Sequence, residues 1–199
     1  MNIQSEECAA FGIYKNGVQH LEDELRAFSA RCRRQAYQKE NKHHDSEETK
    51  ARLGWLQRHE QATRKEVDDR VAMTLSAGKC LPLVVLQREL ELSPLESTIL
   101  LMAIAPAFGL DLQDIMAGLI RSFAWSSTNL SAIADVCDLD LEGRFGLLET
   151  LGPKGKLIES GVLMIDEYDT HDVAAVWEAS VSLTSKGFEI LVSGAKPAA

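Results

Sequence analysis

The start of one helix, at residues 93–96, constrains this chain more than any other feature of its sequence. Ser93 is a preferred N-cap residue, Pro94 suits the first helical position, and Glu96 completes a capping box with Ser93. The residues that follow, through Ala105, are apolar nearly all round the helix. Such a helix has to be covered on every side, so the sequence predicts a buried central helix that the rest of a domain surrounds.

The elements expected after the central helix are short helices and then strands. Helical spacing and caps predict three further helices, at about residues 112–123, 131–137 and 141–151. Alternation then predicts three short strands, at about residues 156–159, 161–167 and 177–183. A capped short helix closes the chain at Gly194. This order predicts a winged-helix-like α+β domain over residues 81–194, with a small antiparallel β-hairpin.

Two longer helices precede this domain. The first, over residues 18–40, has apolar residues three or four positions apart. The second, over residues 46–76, begins at the N-cap Ser46, and its expected buried stripe is Leu53, Leu56, Ala62, Val67, Val71 and Leu75. A polar break separates the two helices, so residues 1–78 are predicted to form an antiparallel helical hairpin, or arm. The predicted fold class is therefore mainly α, and residues 195–199 are expected to be a linker stub.

The charge of the chain is unevenly distributed. Residues 1–92 hold 15 Lys/Arg and 15 Asp/Glu, whereas residues 93–199 hold 6 Lys/Arg and 15 Asp/Glu. The second half therefore carries the whole net charge of −9. A surface that acidic repels phosphate backbones, so the expected partners of this half are proteins rather than nucleic acids.

The motifs of the common catalytic sites are missing from the sequence. The stretch nearest to a phosphate-binding loop, at 151–156, has Thr150 in place of the first glycine and Leu157 in place of the hydroxyl that would hold Mg²⁺. Neither Gly-x-Ser-x-Gly nor His-Glu-x-x-His occurs. The His-His-Asp cluster at 43–45 lies in the polar break, where nothing fixes the geometry of a metal site. We therefore expect no catalytic residues, no cofactor and no metal.

The sequence predicts a cytoplasmic protein that does not enter a membrane. Its longest apolar runs fall well short of the roughly 20 residues that a membrane-spanning helix needs. Its first residues carry neither the basic nor the apolar part of a signal peptide. The four cysteines are scattered without a Cys-x-x-Cys pair, which is typical of free thiols in a reducing compartment.

Residues 90–106, which contain the capped central helix, resemble a known family. The Leu-Ser-Pro-hydrophobic-Glu start and the aliphatic helix ending in an Ala-Pro break look like the N-terminal winged-helix domain that precedes the ATPase module in a group of prokaryotic AAA+ ATPases. The segments 157–165 and 182–194 are similar to later parts of that domain, so the resemblance covers about residues 81–194. It implies a winged-helix fold and an AAA+ ATPase module as partner. No Walker motif of that module occurs in this chain.

Two hypotheses of function follow. The first is a non-catalytic recruitment or regulatory domain of an AAA+ ATPase, which docks a protein partner or substrate for a protein-remodelling machine. The alternative is a winged-helix DNA-binding transcriptional regulator, with its recognition helix at residues 129–137. That segment contains no Lys or Arg, whereas a DNA reader needs cations that neutralise phosphates. The first hypothesis is therefore favoured.

Charge clusters and one aromatic residue mark the candidate contact positions for a protein partner. On the arm, these positions are Arg31, Arg33, Arg34 and Trp55. On the winged helix, they are Asp135, Asp138 and Asp140. A purely structural part in packing, capping or ion pairing is the competing interpretation for each of them.

Overall fold

The computed structural model describes residues 12–107, 128–166 and 172–194. Its helices are α1 (Gly17–Glu40), α2 (Glu47–Ser76), α3 (Pro82–Glu89), α4 (Pro94–Ala107), α5 (Leu130–Val136), α6 (Leu141–Thr150), α7 (Lys156–Glu159), α8 (Val173–Glu178) and α9 (Ser185–Ser193). Its strands are β1 (Thr128–Asn129), β2 (Leu163–Ile165) and β3 (Ser180–Leu183). This mainly helical structure with a small antiparallel sheet confirms the predicted fold class. None of the described helices combines the length and the apolar character that crossing a membrane requires.

The three strands form one antiparallel sheet in the order β1-β3-β2. Thr128 lies opposite Val181 in the first pair, and Leu163 lies opposite Leu183 in the second. The expected β-hairpin is therefore formed by β2 and β3, with α8 in the connection between them. Val181 and Leu163 are buried, so the sheet contributes directly to the hydrophobic core.

Two of the predicted strands are wholly or partly helical. Residues 156–159 form α7, because the Gly155 carbonyl accepts hydrogen bonds from the N–H groups three and four residues later, at 3.0 and 2.8 Å. Trp177 lies in α8, which Asp172 caps through its side chain. Of the strand predicted at 161–167, the described residues 161–166 contain β2. Alternation of apolar residues over so short a stretch does not separate a strand from a helical turn.

The central helix is confirmed as α4. The Glu96 N–H donates to Ser93 Oγ (3.2 Å) and the Ser93 N–H donates to Glu96 Oε2 (2.7 Å), which is the expected capping box. Ile99, Leu100 and Ile104 are fully buried. Because α4 packs against both β3 and α1, the sheet and the first helix cover it from different sides.

The predicted antiparallel hairpin is formed by α1 and α2. α1 begins at the N-cap Asn16, and α2 begins at the N-cap Ser46. Four ion pairs join the two helices: Asp23–Arg70, Glu24–Arg64, Arg26–Glu66 and Arg34–Glu60. Residues near the start of α1 pair with residues in the later half of α2, whereas Arg34, near the end of α1, pairs with Glu60 in the middle of α2. The two helices therefore run in opposite directions.

The buried stripe of α2 differs from the predicted one. Leu56 and Val67 are buried as expected. The other inward positions belong to Thr63 and Thr74, whose hydroxyls donate to backbone carbonyls four residues earlier, at 2.8 and 2.7 Å. A threonine whose hydroxyl is paired in this way can be buried at little cost. The remaining predicted positions are half-buried or exposed: Leu53, Ala62, Val71 and Leu75.

The first helix of the arm belongs to the same hydrophobic core as the later elements. Leu21, Leu25 and Phe28 of α1 are buried in one cluster with residues of α3, α4, α5, α6, α9 and the sheet. The buried side of α1 therefore packs against the later elements of the chain. The division into an arm and a domain stays a prediction, and the elements expected at 112–123 and 195–199 lie outside the described residues.

Candidate functional site

A helix-turn-helix pair, formed by α5 and α6, lies between β1 and β2 in the chain. Its turn is residues 137–140, where Asp138 adopts a positive φ of 53°. Asn129 caps α5 and Asp140 caps α6, each side chain accepting a hydrogen bond of 2.8 Å from a backbone N–H. In DNA-binding proteins with this pair, the second helix enters the major groove. That position is occupied here by α6.

The predicted place of the recognition helix needs correction. The sequence put it at residues 129–137, but this segment contains α5, which is the first helix of the described pair. The β1-α5-α6-α7-β2 order was hidden because β1 is only 2 residues long and has no alternating pattern of its own. Among the described residues, those of α6 therefore take the position from which such a pair reads DNA.

The outward side of α6 is partly apolar. Leu141 and Phe145 are 73% and 61% exposed, and they lie on the same side of the helix because they are four residues apart. Leu147, on the opposite side, is fully buried. Glu142 and Glu149 are exposed beside the apolar pair. The four exposed residues Leu141, Glu142, Phe145 and Glu149 are called the α6 face below.

Arg144 is the one cation in the sequence of α6, and it is engaged within the chain. Its Nη2 donates to Asp135 Oδ1 at 2.8 Å, which ties α6 to α5. Its guanidinium also lies 5.6 Å from the ring centroid of Trp177 in α8. A phosphate group would have to compete with both contacts for this side chain.

A comparison with protein families decides the identity of the fold. A family model described as "Winged helix domain, variant" matches residues 4–195. The chain belongs to this family. The match confirms the winged-helix part of the sequence resemblance, and it spans the arm as well as the β-hairpin. No curated protein and no solved structure matches the chain.

The part of this winged helix domain that contains the helix-turn-helix pair and the β-hairpin is strongly acidic. Residues 128–183 contain three Lys or Arg and eleven Asp or Glu. Besides Arg144, Lys156 is also engaged, since its Nζ donates to the Glu91 carbonyl at 2.6 Å. This charge balance is the opposite of what neutralising a phosphate backbone requires.

The predicted acidic contact residues each make a contact within the chain. Asp135 pairs with Arg144, and Asp140 caps α6. Asp138, whose side chain is 76% exposed, pairs with Lys39 of α1 at 3.1 Å. Lys39 also donates to the Asp135 carbonyl at 2.9 Å, so it joins the end of α1 to the turn of the pair. A contact between these acids and a partner protein stays a prediction.

Two of the predicted basic residues of the arm are engaged in the same way. Arg31 Nη2 donates to Thr98 Oγ1 on α4 at 3.2 Å. Arg34 forms an ion pair with Glu60 on α2 and donates to Gln38 at 2.9 Å. These side chains contact the neighbours of α1, which agrees with a structural part, and their contact with a partner stays a prediction.

The other two candidates on the arm, Arg33 and Trp55, are exposed. Trp55 is 47% exposed and stacks on His59 of the same helix, with the ring centroids 5.3 Å apart. The guanidinium of Arg52 lies 4.7 Å from the centroid of the Trp55 ring. The indole is therefore flanked by two neighbours on its own helix, and its contact with a partner stays a prediction.

The sequence reasoning missed Leu141 and Phe145. A signal was present, because Phe145 and Leu147 are only two residues apart and point to nearly opposite sides of a helix. Both cannot face one core, so one of them had to be exposed or covered by another element. Only the structure shows that it is Phe145 that faces outward.

Two of the described thiols are held in their protonated form by burial. Burial raises the pKa of the Cys32 thiol to about 12, and burial also raises the pKa of Cys137. A thiol held protonated is a poor nucleophile. Among the residues that the structure describes, no three His, Cys, Asp or Glu side chains form a group that could hold a metal ion.

Proposed function

We propose that this winged helix domain is a non-catalytic docking module that binds a protein partner through the α6 face. One observation carries the proposal. At the position where a DNA-binding relative would present cations and hydrogen-bond donors to a groove, the chain presents Leu141 and Phe145, which are 73% and 61% exposed. Exposed apolar side chains next to one another, rimmed by polar residues, are typical of protein interaction sites.

The energetics of the α6 face favour a protein partner over a duplex. Covering Leu141 and Phe145 would contribute about 1.5–3 kcal/mol for each side chain that becomes fully buried. A duplex offers little apolar surface for them, and its phosphates would approach Glu142 and Glu149. The same face therefore stabilises one kind of complex and destabilises the other.

We also propose that the docked partner is recruited for an AAA+ ATPase. The support is the resemblance of residues 90–106 and 157–165 to the winged-helix domain that precedes such modules. A recruitment domain needs a binding surface and no chemistry of its own. ATP hydrolysis would then belong to the ATPase module, either joined to this chain or bound to it.

The binding of random duplex DNA at low salt tests the first part of the proposal. We expect no change in the fluorescence anisotropy of a labelled duplex with the wild-type protein. The double variant Glu142→Lys, Glu149→Lys serves as the matched control, because it places cations on the same face and is expected to gain affinity for DNA. Tight binding by the wild-type protein that is lost in Leu141→Ser, Phe145→Ser would overturn the proposal in favour of a DNA reader.

Crosslinking in the native cell tests the second part. The protein at its natural level of expression is crosslinked, purified and identified together with its partners by mass spectrometry. We expect an AAA+ ATPase, in the same polypeptide or in a crosslinked partner. A partner set without any such ATPase would contradict this part and leave the docking proposal to the DNA experiment.

A further inference from the structure

We infer that the occupant of the α6 face is a cationic amphipathic helix of the partner protein, with apolar residues along one side and Lys or Arg beside them. The inference rests on the proposed function and adds the chemistry of the partner. It depends on three features of the face: the spacing of its apolar residues, the charge of its rim and its lack of fit to a second copy of itself.

The spacing of the apolar residues fits a helix. Leu141 and Phe145 stand one turn apart on α6, and Leu148 beside them is half-buried. Their side chains form a short ridge along the helix axis. A partner helix that packs along this ridge would present its own apolar residues at intervals of three and four, as in other helix-to-helix docking.

The charge of the rim selects cations. Glu142 and Glu149 are exposed within the face, and Asp138 and Asp140 are exposed at the end where α6 begins. Of these, Asp138 is paired with Lys39 and Asp140 caps the helix, so the two glutamates are the carboxylates that a partner would meet first. An anionic partner would be repelled, while Lys or Arg beside its apolar stripe would pair with the rim.

A second copy of the chain fits this face poorly. In a two-fold symmetric contact the same patch meets itself, so Glu142 and Glu149 of one copy would approach the acids of the other. The apolar gain from Leu141 and Phe145 would then be opposed by like charges. A segment of opposite charge has the same apolar gain without that repulsion.

Fluorescence anisotropy with three labelled peptides tests the inference on the full chain. The probe is an amphipathic helix of about 16 residues with Leu at intervals of three and four and Lys elsewhere. One comparison peptide replaces every Lys by Glu, and the other replaces every Leu by Ser. We expect the Leu/Lys peptide to bind, the Leu/Glu and Ser/Lys peptides to bind at least about tenfold more weakly, and added salt to weaken binding.

Variants of the protein locate the site. Leu141→Ser, Phe145→Ser removes the ridge, and Glu142→Lys, Glu149→Lys reverses the rim. Each is expected to raise the Kd of the Leu/Lys peptide at least about tenfold. Val192→Ser, at a residue of α9 that is 44% exposed, is the matched control for loss of exposed apolar surface and is expected to leave the Kd unchanged. Circular dichroism checks that every variant is folded.

The outcomes separate this inference from the proposed function. Unchanged binding in both α6 variants, or no binding by the Leu/Lys peptide, would overturn the inference of a cationic helix. Stronger binding of the Leu/Glu peptide that still depends on Leu141 and Phe145 would overturn the charge selection while keeping a protein-docking face. The duplex experiment above judges the docking proposal independently of all three peptides.

Discussion

At the scale of single residues, Gly187 shows how closely α9 passes the sheet. A Cβ atom at this position would lie 2.3 Å from the Val162 carbonyl oxygen and 2.9 Å from Leu183 Cδ1. The Val162 carbonyl is itself fixed, because it accepts a hydrogen bond from the Thr184 N–H at 3.1 Å. The absence of a side chain is therefore what lets the start of α9 pack here.

We predict that Gly187→Ala lowers the free energy of unfolding by about 1–3 kcal/mol, since either α9 or β2 has to move away. Gly54→Ala in α2 is the matched control. A Cβ there meets only the flexible end of Arg58 at 3.5 Å, so this change is expected to stabilise the helix by up to about 1 kcal/mol. Urea unfolding measures both, and equal effects of the two substitutions would contradict the close approach at Gly187.

A second residue-scale feature is the carboxylate of Glu24, which faces α2. Burial would raise its pKa, but hydrogen bonds from His20 and Arg64, together with the charge of Arg64, outweigh burial and lower the pKa from 4.5 to about 2. Arg64 Nη1 lies 2.7 Å from Glu24 Oε2. Because the pKa is lower in the folded chain than in the unfolded chain, Glu24 stabilises the fold above pH 4.5, and this contribution is lost as the pH falls towards 2.

We predict that Glu24→Gln flattens the acid limb of the stability curve. The variant is expected to be less stable than the wild type by about 2 kcal/mol at neutral pH, and the difference is expected to close as the pH falls towards the folded-state pKa. Glu22→Gln, at an exposed position of the same helix, is the control and should follow the wild type. Denaturant unfolding at a series of pH values measures the curves, and a constant gap at every pH would rule out this role for Glu24.

At the scale of elements, α6 has one buried side and one exposed side. Leu147 is fully buried and belongs to the hydrophobic core, whereas Leu141 and Phe145 are mostly exposed. The helix is thus anchored to the core by one side, and the other side is the one that we propose for docking. This separation allows the exposed side to be altered without unfolding the domain.

We predict that Leu147→Ala lowers the free energy of unfolding by about 2–5 kcal/mol, because it leaves a cavity in the core. The double variant Leu141→Ser, Phe145→Ser is expected to stay within about 1 kcal/mol of the wild type, since surface substitutions are usually small in effect. Chemical denaturation compares the two. A loss in the double variant as large as that in Leu147→Ala would show that the α6 face is covered within the chain.

The elements that the sequence predicted best are those with caps of their own. Ser46, Ser93 and Thr184 each accept a hydrogen bond from a backbone N–H within the next turn, so local residues determine where those helices begin. The prediction of a strand at 156–159 was wrong because the spacing of apolar residues over only four positions does not distinguish a strand from a helix. β1 was missed because its pairing with β3 joins residues more than fifty positions apart.

The candidate site was harder to predict than the helices. Arg31, Arg34 and Asp135 were selected as charged contacts, but their partners lie on other elements and become visible only in three dimensions. The exposure of Phe145 likewise depends on which side of α6 meets the core. Charge and composition predict a protein partner, which stays a prediction, and the fold was needed to propose a surface for it.

At the scale of the whole molecule, the arm and the winged helix share a core. Leu25 and Phe28 of α1 are 2% and 4% exposed within the cluster that includes α4 and the sheet. Arg31 and Lys39 add hydrogen bonds from α1 to α4 and to α5, the first helix of the helix-turn-helix pair. We therefore propose that these parts fold as one unit, a view that the family match over residues 4–195 supports.

We predict one cooperative unfolding transition for the chain. Variants that keep Trp55 or Trp177 as the single tryptophan report separately on α2 and on α8. Their fluorescence midpoints in urea are expected to coincide with each other and with the loss of helix measured by circular dichroism. Leu25→Ala should shift all three midpoints together, by a loss of about 2–5 kcal/mol. An arm that melts before the rest would instead support two separate domains.

The claim that α6 presents a protein-docking face rather than a DNA-reading one is tested most directly by nuclear magnetic resonance. The amide signals of the isotopically labelled chain are recorded while the Leu/Lys peptide, and separately a random duplex, is added. We predict that the peptide shifts the signals of Leu141, Phe145 and Glu149 and that the duplex leaves them in place. Signals of α6 that move with the duplex and not with the peptide would contradict the claim.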